Sequence, residues 1–156
     1  AEYGPAKRWP VKHFAELASK IDRPVFLLGS GKEFDICQEI ATTANATKPG
    51  HCFNLAGQTN LMQAFALIAY AHRVVSNDSG LMHVAAAFGV PQVAVFGSSS
   101  PEHTPPLNDR ARVVWLRVDG SYQPPLACAP CYERTCPLGH MRCLEDVSAE
   151  RVYRLL

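Results

Sequence analysis

The sequence predicts an α/β domain built on a parallel, doubly wound sheet, and three observations predict it. Apolar runs of strand length recur at Val25–Leu28, Cys52–Leu55, Val74–Val75 and just after Pro91. Between them, apolar residues repeat at helical spacing. Gly and Pro punctuate the joints. Short buried strands alternating with helices imply a parallel sheet with both faces covered.

The elements follow in order. The stretch before Trp9 is polar and loop-like, with Gly4-Pro5 as punctuation. Pro10 suits the first turn of a helix whose face is Phe14, Leu17, Ala18 and Ile21. Asp22-Arg23-Pro24 breaks it, and the Val25–Leu28 strand leads into Gly29-Ser30-Gly31-Lys32. A second helix buries Ile36, Cys37, Ile40, Ala41 and Ala44, and residues 47–50 turn into the Cys52–Leu55 strand. Asn60 caps a third helix with Leu61, Ala64, Phe65, Ile68 and Ala71 in period. After the Arg73–Gly97 stretch comes a Ser- and Pro-rich loop to Asp109. Val113–Val118 reads as a last strand, and Ser148 caps a final helix carrying Val152, Leu155 and Leu156. Residues 120–145 read as irregular and Cys-rich.

Bulk composition narrows the function. The 156 residues fit one domain, 1–156, and 47% hydrophobic with 19% charged residues describes a folded globule. A net charge of +1 gives no reason to expect nucleic acid as a partner. No apolar run approaches the roughly 20 residues of a membrane span. The chain opens at Ala1 inside a loop, where a doubly wound sheet usually opens with a strand. The expectation is an excised domain lacking its first strand.

Arg73–Gly97 is the chemical centre. Val74 and Val75 begin a strand, Asn77 and Asp78 are turn and helix-start residues, and Ser79-Gly80 permits close backbone approach. Leu81, Val84, Ala85 and Phe88 then recur at helical spacing until Gly89 and Pro91 end the helix. A helix opening at the carboxyl end of a parallel strand offers free N–H groups and a positive dipole end, suited to phosphate. Asp78, Ser79 and Gly80 would line that anion site, and His83, one turn in, could donate to the same anion. The bland alternative makes Asp78 a plain N-cap and His83 a satisfied core residue.

Other candidates stay open between two readings. The Gly29–Lys32 stretch lacks the spacing of a P-loop or Gly-x-Gly-x-x-Gly fingerprint. Glu33 and Asp35 suit ribose hydroxyls, and equally suit a helix N-terminus. Lys7 and Arg8 are either solvated charges or cations reaching a phosphate. Cys128, Cys131, Cys136 and Cys143 place four thiols in sixteen residues, the first pair at Cys-x-x-Cys spacing. They suit a structural zinc site, with His140 competing and disulfides or free thiols as rivals. Cys37 and Cys52 read as core residues.

Four motifs carry a resemblance. Gly4-Pro5-Ala6-Lys7-Arg8-Trp9-Pro10, Asn54-Leu55-Ala56-Gly57, the Ser76–Ala87 stretch and Ser99-Ser100-Pro101-Glu102-His103-Thr104-Pro105-Pro106 resemble the ADP-heptose-dependent heptosyltransferases of glycosyltransferase family 9. The resemblance spans essentially the whole chain and implies the C-terminal, Rossmann-like donor half of a GT-B enzyme. By it, Asp78, Ser79, Gly80, Leu81 and His83 would hold the ADP diphosphate and neighbouring sugar hydroxyls. Lys7 would steady the leaving ADP, Glu33, with Asp35 second, would bind the ribose, and the Ser98–Thr104 loop, Thr104 included, would border the sugar-phosphate end. ADP-heptose would be the donor and the lipopolysaccharide core the acceptor, reached through the missing N-terminal half, with no catalytic cofactor. The address implied is cytoplasmic, peripheral at the inner face of the bacterial inner membrane. The family's catalytic base has no counterpart here, so the domain alone is expected to transfer nothing. Some members lack the cysteine segment, which makes any zinc there structural. A non-catalytic nucleotide-binding or partner-docking module is the rival function.

Overall fold

The computed structural model describes residues 4–156. Residues 1–3 of the predicted opening loop lie outside them. The chain divides into two compact units, Pro10–Leu67 and the N-terminal residues through Trp9 together with Ile68–Leu156.

In the Pro10–Leu67 unit, α1 (Val11–Lys20) starts at Pro10 and buries Ala15, Leu17 and Ala18. Strands β1 (Val25–Leu27) and β2 (Cys52–Asn54) flank α2 (Phe34–Thr47) in sequence. They pair in parallel, with Val25 opposite Cys52 and Leu27 opposite Asn54. The core is made of small residues, Ala18, Ala41, Ala44 and Cys52, closed by Val25 and Leu27. Alternation along the strands turns Phe26 and Phe53 the other way. Their rings stack at 5.4 Å and are about half exposed. As expected, Asn60 opens α3 (Leu61–Ala69): its Oδ1 accepts the Gln63 N–H and Gln63 Oε1 accepts the Asn60 N–H, both at 2.9 Å.

In the other unit, β3 (Val74–Asn77), β4 (Gln92–Val95) and β5 (Ala111–Val114) form a parallel sheet in that order. The register runs from Val74 opposite Gln92 to Asn77 opposite Val95, and from Gln92 opposite Ala111 to Val95 opposite Val114. All four β4 residues are buried, as a central parallel strand requires. Helix α4 (Gly80–Ala87) places Met82 in a core with Ala94, Phe96 and Trp115. Gly89 takes the left-handed conformation (φ 65°) that ends it, as the Gly-Val-Pro break predicts.

Two expectations need correction. The last strand stops at Val114, and Leu116–Val118 form a 3₁₀ turn. Val114, Trp115 and Leu116 are buried in succession, which the two-residue alternation of an edge strand cannot accommodate. A short helix, α5 (Arg142–Glu145), interrupts the segment read as irregular, too brief to leave a periodic signal. Among the described residues the strands make a two-stranded and a three-stranded parallel sheet, the strand type the α/β reading expects. The final helix, α6 (Ala149–Tyr153), is capped as predicted by Ser148, whose Oγ accepts the Arg151 N–H at 3.2 Å. Leu155 and Leu156 lie beyond its end. No helix among the described residues is long and apolar enough to cross a membrane.

Candidate functional site

The strap of residues 4–9 makes a 3₁₀ turn over Pro5–Lys7 and is pinned at its far end. Trp9 is fully buried, and its Nε1–H donates to the Val147 carbonyl at 2.8 Å. Its backbone N–H donates to Asn77 Oδ1 at 2.9 Å, which ties the strap to the carboxyl end of β3. Gly97, just past β4, is needed for this approach: a Cβ there would lie 2.6 Å from the Ala6 carbonyl oxygen.

So seated, the strap brings Lys7 Nζ to 2.6 Å from Asp78 Oδ2. The pair lies 71 positions apart in sequence, and its side chains are 19% and 7% exposed. Lys7 is thus a partnered cation at the start of α4 rather than a solvated charge. Asp78 is not an N-cap, because Ser79 takes that position with extended backbone and no side-chain cap hydrogen bond. The first intrahelical bond runs from the Met82 N–H to the Ser79 carbonyl at 3.1 Å. The first-turn amides of Gly80 and Leu81 therefore gain nothing from a side-chain cap and sit at the positive end of the dipole. Space there is open, since a Cβ on Gly80 would meet nothing within 4 Å. His83 is exposed, not a core residue.

The loop after β4 borders the same sheet end. Ser98 and Ser99 are buried, yet their hydroxyls have no partner in the structure. Such groups cost free energy unless something else satisfies them. Ser100 folds the loop on itself: its Oγ accepts the Glu102 N–H at 3.2 Å, and its carbonyl accepts the His103 N–H at 3.2 Å. Thr104 is exposed, its Oγ1 at 3.5 Å from the Ser100 carbonyl. His103 Nδ1 lies 2.9 Å from the Tyr132 hydroxyl. Trp9 and Tyr132 are positioning residues that sequence reasoning did not single out, and Asn77, read as a turn residue, proves to be the acceptor that holds the strap. Only Trp9, within the Lys-Arg-Trp-Pro motif, offered a signal.

Glu33 and Asp35 belong to the Pro10–Leu67 unit. Glu33 closes a capping box, its Oε2 accepting the Ser30 N–H at 3.0 Å and lying 3.2 Å from Ser30 Oγ. Asp35 is exposed in the first turn of α2.

The six cysteines are free thiols. Cys37 and Cys52 are buried as predicted, and burial, with Cys37 adding to it, pushes the Cys52 thiol up to about 11. Cys128, Cys131, Cys136 and Cys143 line one small cavity with Ala6 and Ser98. Burial pushes the Cys143 thiol up to about 11, reinforced by the field of Cys131, Cys136 and Cys128. For Cys136 desolvation acts upward, but N–H groups of Met141, Leu138, Gly139 and His140 facing the sulfur bring it below its ordinary value. Among the described residues, no three His, Cys, Asp or Glu side chains are gathered closely enough to hold an ion.

Comparison with known proteins sets this geometry in context. The family profile described as glycosyltransferase family 9 (heptosyltransferase) matches residues 1–142. The chain belongs to glycosyltransferase family 9. Among family 9 relatives, the lipopolysaccharide heptosyltransferase 2 of Escherichia coli is 53% identical over 119 residues, 74% of this chain and 34% of the relative. The solved E. coli ADP-heptose LPS heptosyltransferase II superposes with a TM-score of 0.82 at 42% identity, covering 99% of this chain and 42% of that one. The E. coli heptosyltransferase WaaC solved with ADP matches 70% of this chain at a TM-score of 0.58 and 25% identity. The chain thus spans between a third and a half of these relatives. Its α/β architecture is that of one part of a GT-B heptosyltransferase.

Proposed function

We propose that this chain is the donor-binding half of an inverting glycosyltransferase that moves heptose from ADP-heptose to the lipopolysaccharide inner core. The observation that carries the reading is the Lys7–Asp78 pair beside the uncapped start of α4. An ammonium has three donors, so Lys7 can bridge the Asp78 carboxylate and a phosphate oxygen together. The amides of Gly80 and Leu81 would meet the diphosphate at the positive helix end. Ser79 would add a hydroxyl, and exposed His83 a further donor. Thr104 and the buried Ser98 and Ser99 hydroxyls would border the sugar-phosphate end.

As the anomeric carbon–oxygen bond breaks, negative charge grows on the departing ADP. Fixed donors aimed at that charge stabilise the transition state more than the ground state. Asp78 serves as positioning residue, since a carboxylate cannot itself favour a phosphate. The family resemblance assigns the ribose to Glu33, then Asp35, and the catalytic base to the N-terminal half of the parent protein. Transfer therefore requires that half. The parent would work in the cytoplasm, peripherally at the inner membrane, where the lipopolysaccharide core is assembled.

Calorimetric titration of ADP into the full-length parent protein and its Asp78→Ala variant tests the reading. Tight binding by the parent and markedly weaker binding by the variant are expected. Equal affinities, or no binding to either, would overturn it.

A further inference from the structure

We propose that Cys128, Cys131, Cys136 and Cys143 gather a single tetrahedral, thiolate-seeking metal ion of the zinc or iron class behind the Lys7 strap, and that this ion braces the strap. The four thiols come from a stretch with little regular structure, yet all of them line one cavity. The backbone is shaped for sulfur ligation. Cys136 lines the cavity with the other three thiols and opens a tight turn in which the Gly139 N–H donates to the Cys136 carbonyl at 3.1 Å. Tyr132, directly after the Cys-x-x-Cys pair, and Gly139, three residues past Cys136, both take left-handed backbone (φ 58° and 70°). Those two bends turn the chain back around the cavity.

Four thiolate ligands in tetrahedral array select zinc or iron over harder ions. His140 is the weaker claimant, because its Nδ1 already accepts the Arg142 N–H at 3.1 Å. The thiols are not drawn into a closed cage in this arrangement. Binding the ion would draw the four thiols together, since metal binding and local folding are coupled. Each thiol that ligates gives up its proton to solvent; no oxidation is involved.

The cavity's other wall explains what such an ion would do. Ala6 and Ser98 line it beside the thiols. The Ala6 N–H donates to the Arg134 carbonyl at 3.1 Å, and the Ser98 N–H to the Ala6 carbonyl at 3.1 Å. The Tyr132 N–H donates to the Ser98 carbonyl at 2.7 Å. The strap, the end of β4 and the cysteine segment are thereby stitched together, one residue from Lys7. Gly4 belongs to the same contact, since a Cβ there would lie 2.5 Å from the Arg134 oxygen. An ion fixing residues 128–143 fixes the wall that Ala6 leans on.

The full-length parent, purified under reducing conditions without chelator, decides the matter. Elemental analysis is expected to find a single zinc or iron per chain and to say which. Cobalt exchange is expected to give thiolate charge-transfer bands with a tetrahedral ligand-field spectrum. Cys128→Ser and Cys143→Ser should lose the ion, while Cys37→Ser and Cys52→Ser keep it. Substoichiometric metal with all four thiols reactive in the folded protein, or a Cys128–Cys131 disulfide, would overturn the site. The bracing role rests on the ADP reading above. Stripping the ion should weaken ADP binding about ten-fold in wild type and add nothing in Lys7→Ala, with the fold checked by circular dichroism. Equal losses in both proteins would mean general loosening and would overturn the brace. Failure of the loaded wild type to bind ADP would sink the donor-site reading and leave metal content to judge the site.

Discussion

Two helices begin after parallel strands in this chain, and their starts are finished in opposite ways. Beyond β1, Ser30 and Glu33 satisfy one another and the local backbone in a capping box. Beyond β3, α4 begins at Ser79 with no side-chain cap, and the nearest carboxylate, Asp78, is turned to Lys7. The first corner carries its own side-chain cap. The second has first-turn donors without a side-chain acceptor, open space over Gly80, and a cation brought from 71 positions away. The difference teaches that one chain can finish one strand-to-helix turn with its own side chains and leave the first-turn donors of another without a side-chain cap. A helix start is common; one whose local acidic residue is diverted to hold a lysine is not explained by helix stability.

Breaking the strap should have the largest effect. Trp9→Ala removes a fully buried indole and leaves the Val147 carbonyl without its donor, which should cost about 3–5 kcal/mol by chemical denaturation. Trp9→Phe keeps most of the packing and should cost about 1–3 kcal/mol, chiefly the unsatisfied carbonyl. A change of less than half a kcal/mol in either would mean the strap is not seated as described. Next comes Lys7→Ala in the full-length protein, which should weaken ADP by about 1.4–2.7 kcal/mol, about 10–100-fold, by calorimetry. Lys7→Arg should recover only part, since guanidinium does not reproduce a point ammonium. The contrast between the corners is sharpened by Ser30→Ala. Loss of that cap should lower stability by about 1 kcal/mol and leave phosphate recognition unchanged. If Ser30→Ala weakened ADP as much as Lys7→Ala, the two corners would not differ in kind.

Much of this was legible before any coordinates. Apolar spacing located α1, α2 and α4, and Asn60 and Ser148 cap helices as their side-chain chemistry dictates. The start of α4 was legible because Asn, Asp, Ser and Gly after a β-branched run favour a turn and a helix N-terminus. Long-range geometry was not. Nothing local says that Asn77 accepts from Trp9, or that Asp78 turns to Lys7 instead of capping. The resemblance pointed to the Ser98–Thr104 loop as a whole, and only burial reveals the Ser98 and Ser99 hydroxyls as unmet. The end of β5 was misplaced because Val113–Val118 is apolar enough for a strand, while burial of three successive side chains depends on neighbours the sequence does not identify. Glu33 stood open between capping and ribose, and the structure gives its carboxylate a cap partner.

Acid should separate the two regions by the smallest margin. Asp119, in the unit that holds α4, accepts from the Ser121 hydroxyl and N–H at 2.7 and 2.9 Å and pairs with Arg151. Those bonds hold its carboxyl at about 2, against an ordinary 3.8. In the Pro10–Leu67 unit, Asp22 pairs with Lys48 at 2.8 Å, and that hydrogen bond also lowers its pKa, but its side chain is 92% exposed. A carboxyl held below its unfolded value contributes stability that is whole above that value and is lost as pH falls through the folded one. For Asp119 that window runs from near 4 down to about 2. Asp119→Asn should therefore flatten the acid limb of the stability–pH curve across that window. Asp22→Asn should leave it nearly unchanged, because an exposed pair is screened by solvent. Denaturant midpoints measured across the window check both variants. An acid limb unmoved by Asp119→Asn would show that this carboxylate is not what the unit loses first.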